Sequence, residues 1–431
     1  MARFVVLATS PSRPKFDIFS VTIKYFLVTI DGYDPLDVRG NVTIQWDVTQ
    51  IDSGTYNADV TIYNYQQYRH IEWPPGWRLS WEWQEREVIW NMQGAEAKEQ
   101  GVCNKSLGTP PPHCCLRRPV IIDLQPGAKL NKQATNCCRG GVLTSMTQDP
   151  TKYSAHFQMI VGLASSEDLN PKMPNNFKFG TPGYTCGDPE LVVPSTRFPE
   201  DGGRRWRQAL STHKVICTYS QFKAAPAPSC CVSLSAFYSP MISFCPNCSC
   251  GCQEQPGLLC VKKGQTPLIL PKSQDPDYVP PPQVNCTSHM CPIHVHWHIK
   301  ESYKEYWRVK ITIINLNVRK NYTTWNLAVE HPNLHDLVQV FSFNYVPLTQ
   351  DRPTNDTGLF WGVQYYNDVL LQSGLSGNVQ TEMLLRKVPG TFTFDAGWAF
   401  PKRIYFNGEN CVMPPPSDFP RLPKESQHVR Q

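Results

Sequence analysis

Apolar and polar positions alternate with a period of two along most of this chain, and long amphipathic runs of helical period are hard to find. In NVTIQWDV, Val42, Ile44, Trp46 and Val48 fall on one side and Thr43, Gln45 and Asp47 on the other, which predicts a half-buried strand. Asp52, Ser53 and Gly54 supply a turn, and YNADVTIYNY repeats the alternation with Ala58, Val60 and Ile62 opposite Asp59, Thr61, Tyr63 and Tyr65. The two segments read as the start of a meander. WPPGWRLSWEWQEREVIW then puts five tryptophans into eighteen residues, with Trp77, Leu79, Trp81 and Trp83 on one strand face and Arg78, Ser80, Glu82 and Gln84 on the other. Side chains two apart on a strand stand roughly 6.6 Å apart, so that row forms a nearly continuous aromatic strip. Ser154 to Ala164, SAHFQMIVGLA, predicts a further strand closing a first sandwich.

Beyond KKGQTPLILPKSQDPDYVPPPQ, a proline-rich linker, strand patterns return in IHVHWHI, WRVKITIINLNV, NLAVEH, LVQVFSFNYV, FWGVQYYNDVLL and TFTFDAGWAF. Six short strands spaced by turns predict a second sandwich. The expected class is all-β: two β-sandwich domains joined by a cysteine-rich, disulfide-stapled centre. The expected boundaries are an atypical N-terminal segment (1–32), a first sandwich (33–169), a cysteine-rich region (170–261), the linker (262–283), a second sandwich (284–412) and a polar, proline-rich tail (413–431).

Cysteine changes the picture most. Seven of the 17 cysteines fall in the thirty-one residues from Cys230 to Cys260, a density that signals cross-linking in an oxidising compartment. Zinc is the alternative at Cys245, Cys248, Cys250 and Cys252, but no second, well-spaced ligand pair follows. Adjacent cysteines close a strained ring when bonded to each other, so Cys114–Cys115 and Cys137–Cys138 are each expected to reach two separate partners. Seventeen is odd, so one thiol is left free or pairs with another chain. Six N-x-S/T sequons, at Asn41, Asn104, Asn247, Asn285, Asn321 and Asn355, join the cysteines in pointing to an extracellular glycoprotein.

The 41 basic and 36 acidic side chains are scattered without blocks, which argues against a nucleic-acid partner. The N-terminal apolar run from Phe16 to Ile30 carries Asp17 and Lys24 and makes a poor secretory signal. The final residues PPPSDFPRLPKESQHVRQ contain neither a spanning segment nor the apolar tail of a GPI signal. Membrane contact is therefore expected only through an anchor that this stretch does not encode.

Three constellations could carry chemistry. The aromatic strip reads either as sandwich core or as an open platform on which sugar rings stack, flanked by Asn, Gln, Glu and Arg that bond to sugar hydroxyls. His294, His296 and His298 share a strand face and could hold zinc, but no carboxylate or thiolate completes the shell, so no metal and no cofactor are expected. Glu82 and Glu85 could serve a glycoside hydrolase, yet their spacing suits a solvated strand face equally and no G-x-S-x-G, H-E-x-x-H or phosphate-loop pattern has a supporting context.

The segments YDPLDVRGNVTIQWDV, PGWRLSWEWQEREVIW, HCCLRRPVIIDLQPG, CPNCSCGCQ, CPIHVHWHIK and GWAFPKRIYFNGENCVMPPP, with CCVS at Cys230, Cys231, Val232 and Ser233, resemble the COBRA family of plant wall proteins from Tyr33 to about Pro416. The resemblance implies a non-enzymatic, extracellular protein that binds cellulose or a related wall glucan and guides microfibril deposition during wall biogenesis and oriented growth. It also implies a GPI anchor on the plasma membrane. It places the binding region at Tyr63, Tyr65, Tyr68, Trp77, Trp81, Trp83 and Trp90. A wall hydrolase using Glu82 or Glu85, and a pure interaction scaffold, are the rival readings.

Overall fold

The computed structural model describes residues 34–420 except 35, 74, 104–109, 164–170, 225–227, 246–258, 262–282, 286–290, 319, 333, 349–355, 373–376 and 388–398. Among the described residues the one α-helix is the four-residue Gln221–Ala224, and the chain is all-β. The first half supplies β1 (Val42–Asp52), β2 (Thr55–Asn64), β3 (Arg78–Glu82), β4 (Glu87–Gln93), β5 (Ala95–Ala97), β6 (Val120–Asp123) and β7 (Ser154–Leu163). It continues with β8 (Asn175–Phe179), β9 (Tyr184–Cys186), β10 (Glu190–Leu191), β11 (Arg197–Glu200), β12 (Arg205–Gln208) and β13 (Ser211–Tyr219).

Apart from β11 and β12, which pair as a separate hairpin, these strands form a large antiparallel sheet in the order β10-β13-β1-β2-β7-β4, with β9 also on β13, and a facing sheet in the order β5-β6-β3-β8. Register follows the apolar pattern: Ile44 lies opposite Ile62 and Val215, and Val60 opposite Phe157. Val42, Ile44, Trp46, Ala58, Val60 and Ile62 all point inward and are buried, as their alternation requires. Leu79, Trp81, Ile121, Phe177 and Phe179 close the core from the second sheet.

The second half supplies β14 (Cys230–Ala236), β15 (Ser239–Ser243), β16 (Leu259–Val261) and β17 (Gln283–Asn285), the last two a separate parallel pair, and the second sandwich continues with β18 (Ile293–Ser302), β19 (Tyr306–Asn315), β20 (Tyr322–Thr323) and β21 (Asn326–Glu330). It is completed by β22 (Leu337–Val340), β23 (Phe343–Pro347), β24 (Thr357–Gly362), β25 (Val369–Leu370), β26 (Asn378–Arg386), β27 (Arg403–Phe406) and β28 (Glu409–Asn410). Its sheets run β15-β14-β18-β19-β26-β22 and β23-β24-β21-β27-β28. β14 is buried along its whole length and pairs in parallel with β18. CCVS is therefore an interior strand, with Cys230 and Val232 in the core and Cys231 and Ser233 on the other face.

The expected cysteine-rich region is divided between the two sandwiches. β8, β9, β10 and β13 complete the first sheet pair, β11 and β12 form a separate hairpin, and β14–β15 begin the second sandwich. β10 and β12 are short and exposed and carry weak patterning, so their pairing partners rather than their own sequence place them. The 262–282 stretch and most of TFTFDAGWAF lie outside the described residues, as do Asn104, Asn247 and Asn355.

Among the described residues, disulfides join Cys103 to Cys115, Cys186 to Cys217, Cys230 to Cys411 and Cys231 to Cys245. The fifth corrects an expectation: Cys137 bonds its neighbour Cys138. Positive φ at Asn136 (59°) and Cys138 (71°) folds the chain tightly here. The Asp123 carboxylate pins the loop by accepting the N–H groups of Cys138, Arg139 and Gly141 at 2.8, 2.9 and 2.9 Å. Cys114 is a free, buried thiol.

A polar junction ties the sandwiches together. Arg69 pairs with Asp34 at 3.2 Å and with Glu409 at 3.0 Å, and its guanidinium stands over the Tyr219 ring. Glu72 accepts from Lys320 and Asn407 and lies 3.2 Å from the His70 ring nitrogen. Burial would raise the Glu72 carboxyl, but the Lys320 charge and the bonds from His70 and Lys320 outweigh it and lower it to about 2.

Candidate functional site

The large sheet of the first sandwich turns one face inward to the core and carries a polar outer face that is partly covered. Between the core positions of β1, β2 and β7, the other side chains fall on the outer face: Gln45, Asn57, Thr61, Tyr63, His156 and Gln158, with Asp47 and Asp59 buried among them. At one end Tyr63 and Tyr65 stack, centroids 5.4 Å apart and planes 13° apart, with Tyr153 at 5.9 and 6.0 Å. Burial, then the neighbouring Tyr63 and Tyr153, push the Tyr65 phenol up to about 12, and burial raises that of Tyr63. Both stay protonated and can donate to a hydroxyl.

At the other end Trp90 occupies a register shift between Ile89 and Asn91. A Cβ on Gly162 would come within 2.6 Å of its indole nitrogen, so the ring packs directly against the β7 backbone. Thr55, opposite Gly162, and Tyr63 are eight residues apart on β2, so the face extends ~27 Å at ~3.4 Å per residue.

The β11–β12 hairpin lies beside this face. Gln45 Nε2 donates to Thr196 Oγ1 at 3.0 Å, Thr196 N–H to Thr212 Oγ1 at 2.8 Å, and Leu210 N–H to the Val48 carbonyl at 2.8 Å. The anchored hairpin brings Arg207 over a groove of about 240 Å³ lined by Asn57, Asp59, Asn91, Gln93 and Gln158. Burial raises the Asp59 carboxyl despite the Arg207 charge nearby. Trp206, next to Arg207, is 63% exposed. Amides that both donate and accept, beside an accepting carboxylate and a donating guanidinium and bounded by open rings, suit a polyhydroxylated ligand with flat apolar faces.

The expected binding residues separate into two groups. Tyr63, Tyr65 and Trp90 are on this outer face. Tyr68, Trp77, Trp81 and Trp83 are not: each is at most 1% exposed, and the expectation of an open strip there is corrected. The β3 rings fill the gap between the two sheets, where Trp81 meets Trp46 edge-on at 5.2 Å and Trp77 stacks on Phe157 at 6.0 Å. Tyr68 sits under the junction, its hydroxyl donating to Asp34 at 2.5 Å and its ring 5.6 Å from Tyr405. Tyr153 and Trp206 escaped the sequence reading. A tryptophan among Arg204, Arg205 and Arg207, where no strand pattern buries it, was the available signal for the second.

The carboxylates of the hydrolase reading are engaged elsewhere. Glu82 contacts Arg117 at 3.3 Å and Arg118 at 2.9 Å and accepts from Asn176 at 3.0 Å; the Asn176 bond, then Arg118, hold its carboxyl below the ordinary value. Glu85 pairs with Lys172. A general acid needs the opposite shift.

The three histidines do not converge either. Ser233 Oγ bridges His294 Nε2 (2.7 Å) and His296 Nδ1 (2.5 Å), and Ser235 Oγ bridges His296 Nε2 (2.8 Å) and His298 Nδ1 (2.7 Å). Each hydroxyl has one proton to give, so the ladder is satisfied by serine rather than by an ion. Among the described residues no group of three or more His, Cys, Asp or Glu could hold a metal, and no helix is long and apolar enough to cross a membrane.

Two family models cover the chain: the COBRA N-terminal domain over residues 56–220 and the COBRA family C-terminal domain over residues 229–420. COBRA-like protein 6 of Arabidopsis thaliana is 56% identical over 398 residues, 92% of this chain and 87% of the relative. COBRA-like protein 3 of Oryza sativa subsp. japonica is 52% identical over 409 residues, 94% and 89% of the two. Protein COBRA of Arabidopsis thaliana is 50% identical over 412 residues, 94% and 90%. Matched in both halves and along nearly its whole length, the chain belongs to the COBRA family, and with it to a cellulose-related role in the plant cell wall.

Proposed function

We propose that this protein is a non-catalytic, extracellular binder of cellulose or a closely related wall glucan, and that by adsorbing to it the protein guides how microfibrils are laid down and crystallise. The observation that carries the reading is the outer face of the first sandwich. Tyr63, Tyr65, Tyr153 and Trp90 on the large sheet and Trp206 on the adjoining β11–β12 hairpin accompany a groove lined by Asn57, Asp59, Gln158 and Arg207.

Sugar rings present C–H faces that pack on aromatic planes, and their equatorial hydroxyls meet the flanking amides. By analogy with bases on aromatic platforms, each stack contributes roughly 1–3 kcal/mol, and several in series multiply affinity without demanding a chain end. Incubation with microcrystalline cellulose tests this. Depletion of the protein from the supernatant with no soluble sugar released is the expected result; no depletion overturns the reading, and release of sugar replaces it with the hydrolase.

A further inference from the structure

We infer that the glucan-binding surface continues across the domain junction onto the second sandwich, where the turn after β24 forms a second sugar-stacking subsite. This rests on the proposed function and adds residues that the first face does not contain.

The turn is built to display rings. A Cβ on Gly362 would lie 2.4 Å from the Asn367 carbonyl oxygen and from Asp368 Cα, so the chain folds back on the end of β24 more closely than any other residue allows. Val363 N–H donates to Asn367 Oδ1 at 2.7 Å, Tyr365 N–H to Asp368 Oδ1 at 3.0 Å, and Asn367 Nδ2 to the Ser342 carbonyl at 2.8 Å. Held this way, Tyr365 has φ 64° and is 93% exposed, and Tyr366 is 74% exposed. A bulky side chain in the left-handed region carries a steric cost that glycine avoids, and two rings so exposed bury little in return. Such an outlier points to a ligand that covers the rings.

The turn borders a groove of about 260 Å³ between the sandwiches, lined by Gln148, Asp149 and Lys152 from the first and Asn344, Trp361 and Gln364 from the second. Its lips are fixed: Gln148 Nε2 donates to the Thr324 carbonyl at 3.0 Å and Gln148 Oε1 accepts from Asn326 Nδ2 at 2.8 Å. Lys152 immediately precedes Tyr153, whose ring belongs to the tyrosine cluster of the first face. Gln148 and Asn344, whose amide groups are held by bonds to Thr324, Asn326 and the Gly362 carbonyl, each keep a donor or acceptor position, and with Gln364 and the Trp361 indole they match a polyhydroxylated chain. The ligand class is a β-linked glucan long enough to run from the tyrosine cluster through the groove to Tyr365 and Tyr366.

Adsorption isotherms of the full chain on microcrystalline cellulose test this. Tyr365→Ala with Tyr366→Ala is expected to lower the partition coefficient about tenfold or more with the melting temperature unchanged. Tyr365→Gly alone is expected to raise the melting temperature by about 2 °C while also weakening adsorption, because it relieves the left-handed residue and removes its ring. If the wild type adsorbs and both variants adsorb equally well, this subsite is wrong and the first face stands. If the wild type does not adsorb, both readings fall.

Discussion

Two sets of aromatic rings lie on opposite sides of one sheet in the first sandwich, and they do different work. Trp46, Trp77, Trp81 and Trp83 are sealed between the sheets, edge-to-face or stacked on each other and on phenylalanines. The indole N–H groups of Trp77, Trp81 and Trp83 make no hydrogen bond there, a cost that only a large gain in buried apolar area can offset. Tyr63, Tyr65, Tyr153 and Trp90 stand on the other side, half-covered, among amides and charged groups. Residue type does not separate a stabilising ring from a binding ring. The layer on the other side of the backbone does.

The sharpest way to break this comparison is Trp81→Ala, expected to cost about 3–5 kcal/mol of unfolding free energy in urea titration, while the fraction still folded adsorbs to cellulose as before. Tyr63→Ala with Tyr65→Ala should do the reverse: adsorption weaker by roughly 2–3 kcal/mol, or about 30- to 150-fold, with stability changed by less than about 1 kcal/mol.

The junction offers a control independent of either face. The Glu72 carboxyl sits at about 2 in the fold against 4.5 when free, so its contribution to stability is present above pH 4.5 and is lost as pH falls towards 2. Glu72→Gln should lower stability at neutral pH by roughly 2 kcal/mol and flatten that acid limb, as followed by melting from pH 7 to pH 2, without changing adsorption per folded molecule. The smallest effect is expected from Trp206→Ala, which should leave the melting temperature in place and weaken adsorption by about 1 kcal/mol, since one exposed ring on a hairpin makes one contact.

Strand alternation made much of the fold legible. β1, β2, β7, β18, β19 and β21 fall where their apolar periods put them, with inward residues buried. β26 was not legible: NVQTEMLLR is rich in residues that favour helices, yet between β19 and β22 its Val379, Thr381, Met383 and Leu385 alternate into the core. β14 was obscured by its cysteines, which draw attention to cross-links although the strand is central to a sheet. The vicinal pair at Cys137 was missed because its local backbone, with positive φ and the Asp123 carboxylate holding the loop, is not written in spacing.

By itself the sequence determined the all-β class, the abundance of disulfides and which side chains share a strand face, because a period of two is a property of the extended backbone. Tertiary structure alone decided which face meets water, because that depends on whether a second sheet packs against it. That is why Trp81 became core, Tyr63 stayed half-open, and Trp206 and Tyr365, the second inside an expected strand that is a turn between β24 and β25, came to the surface.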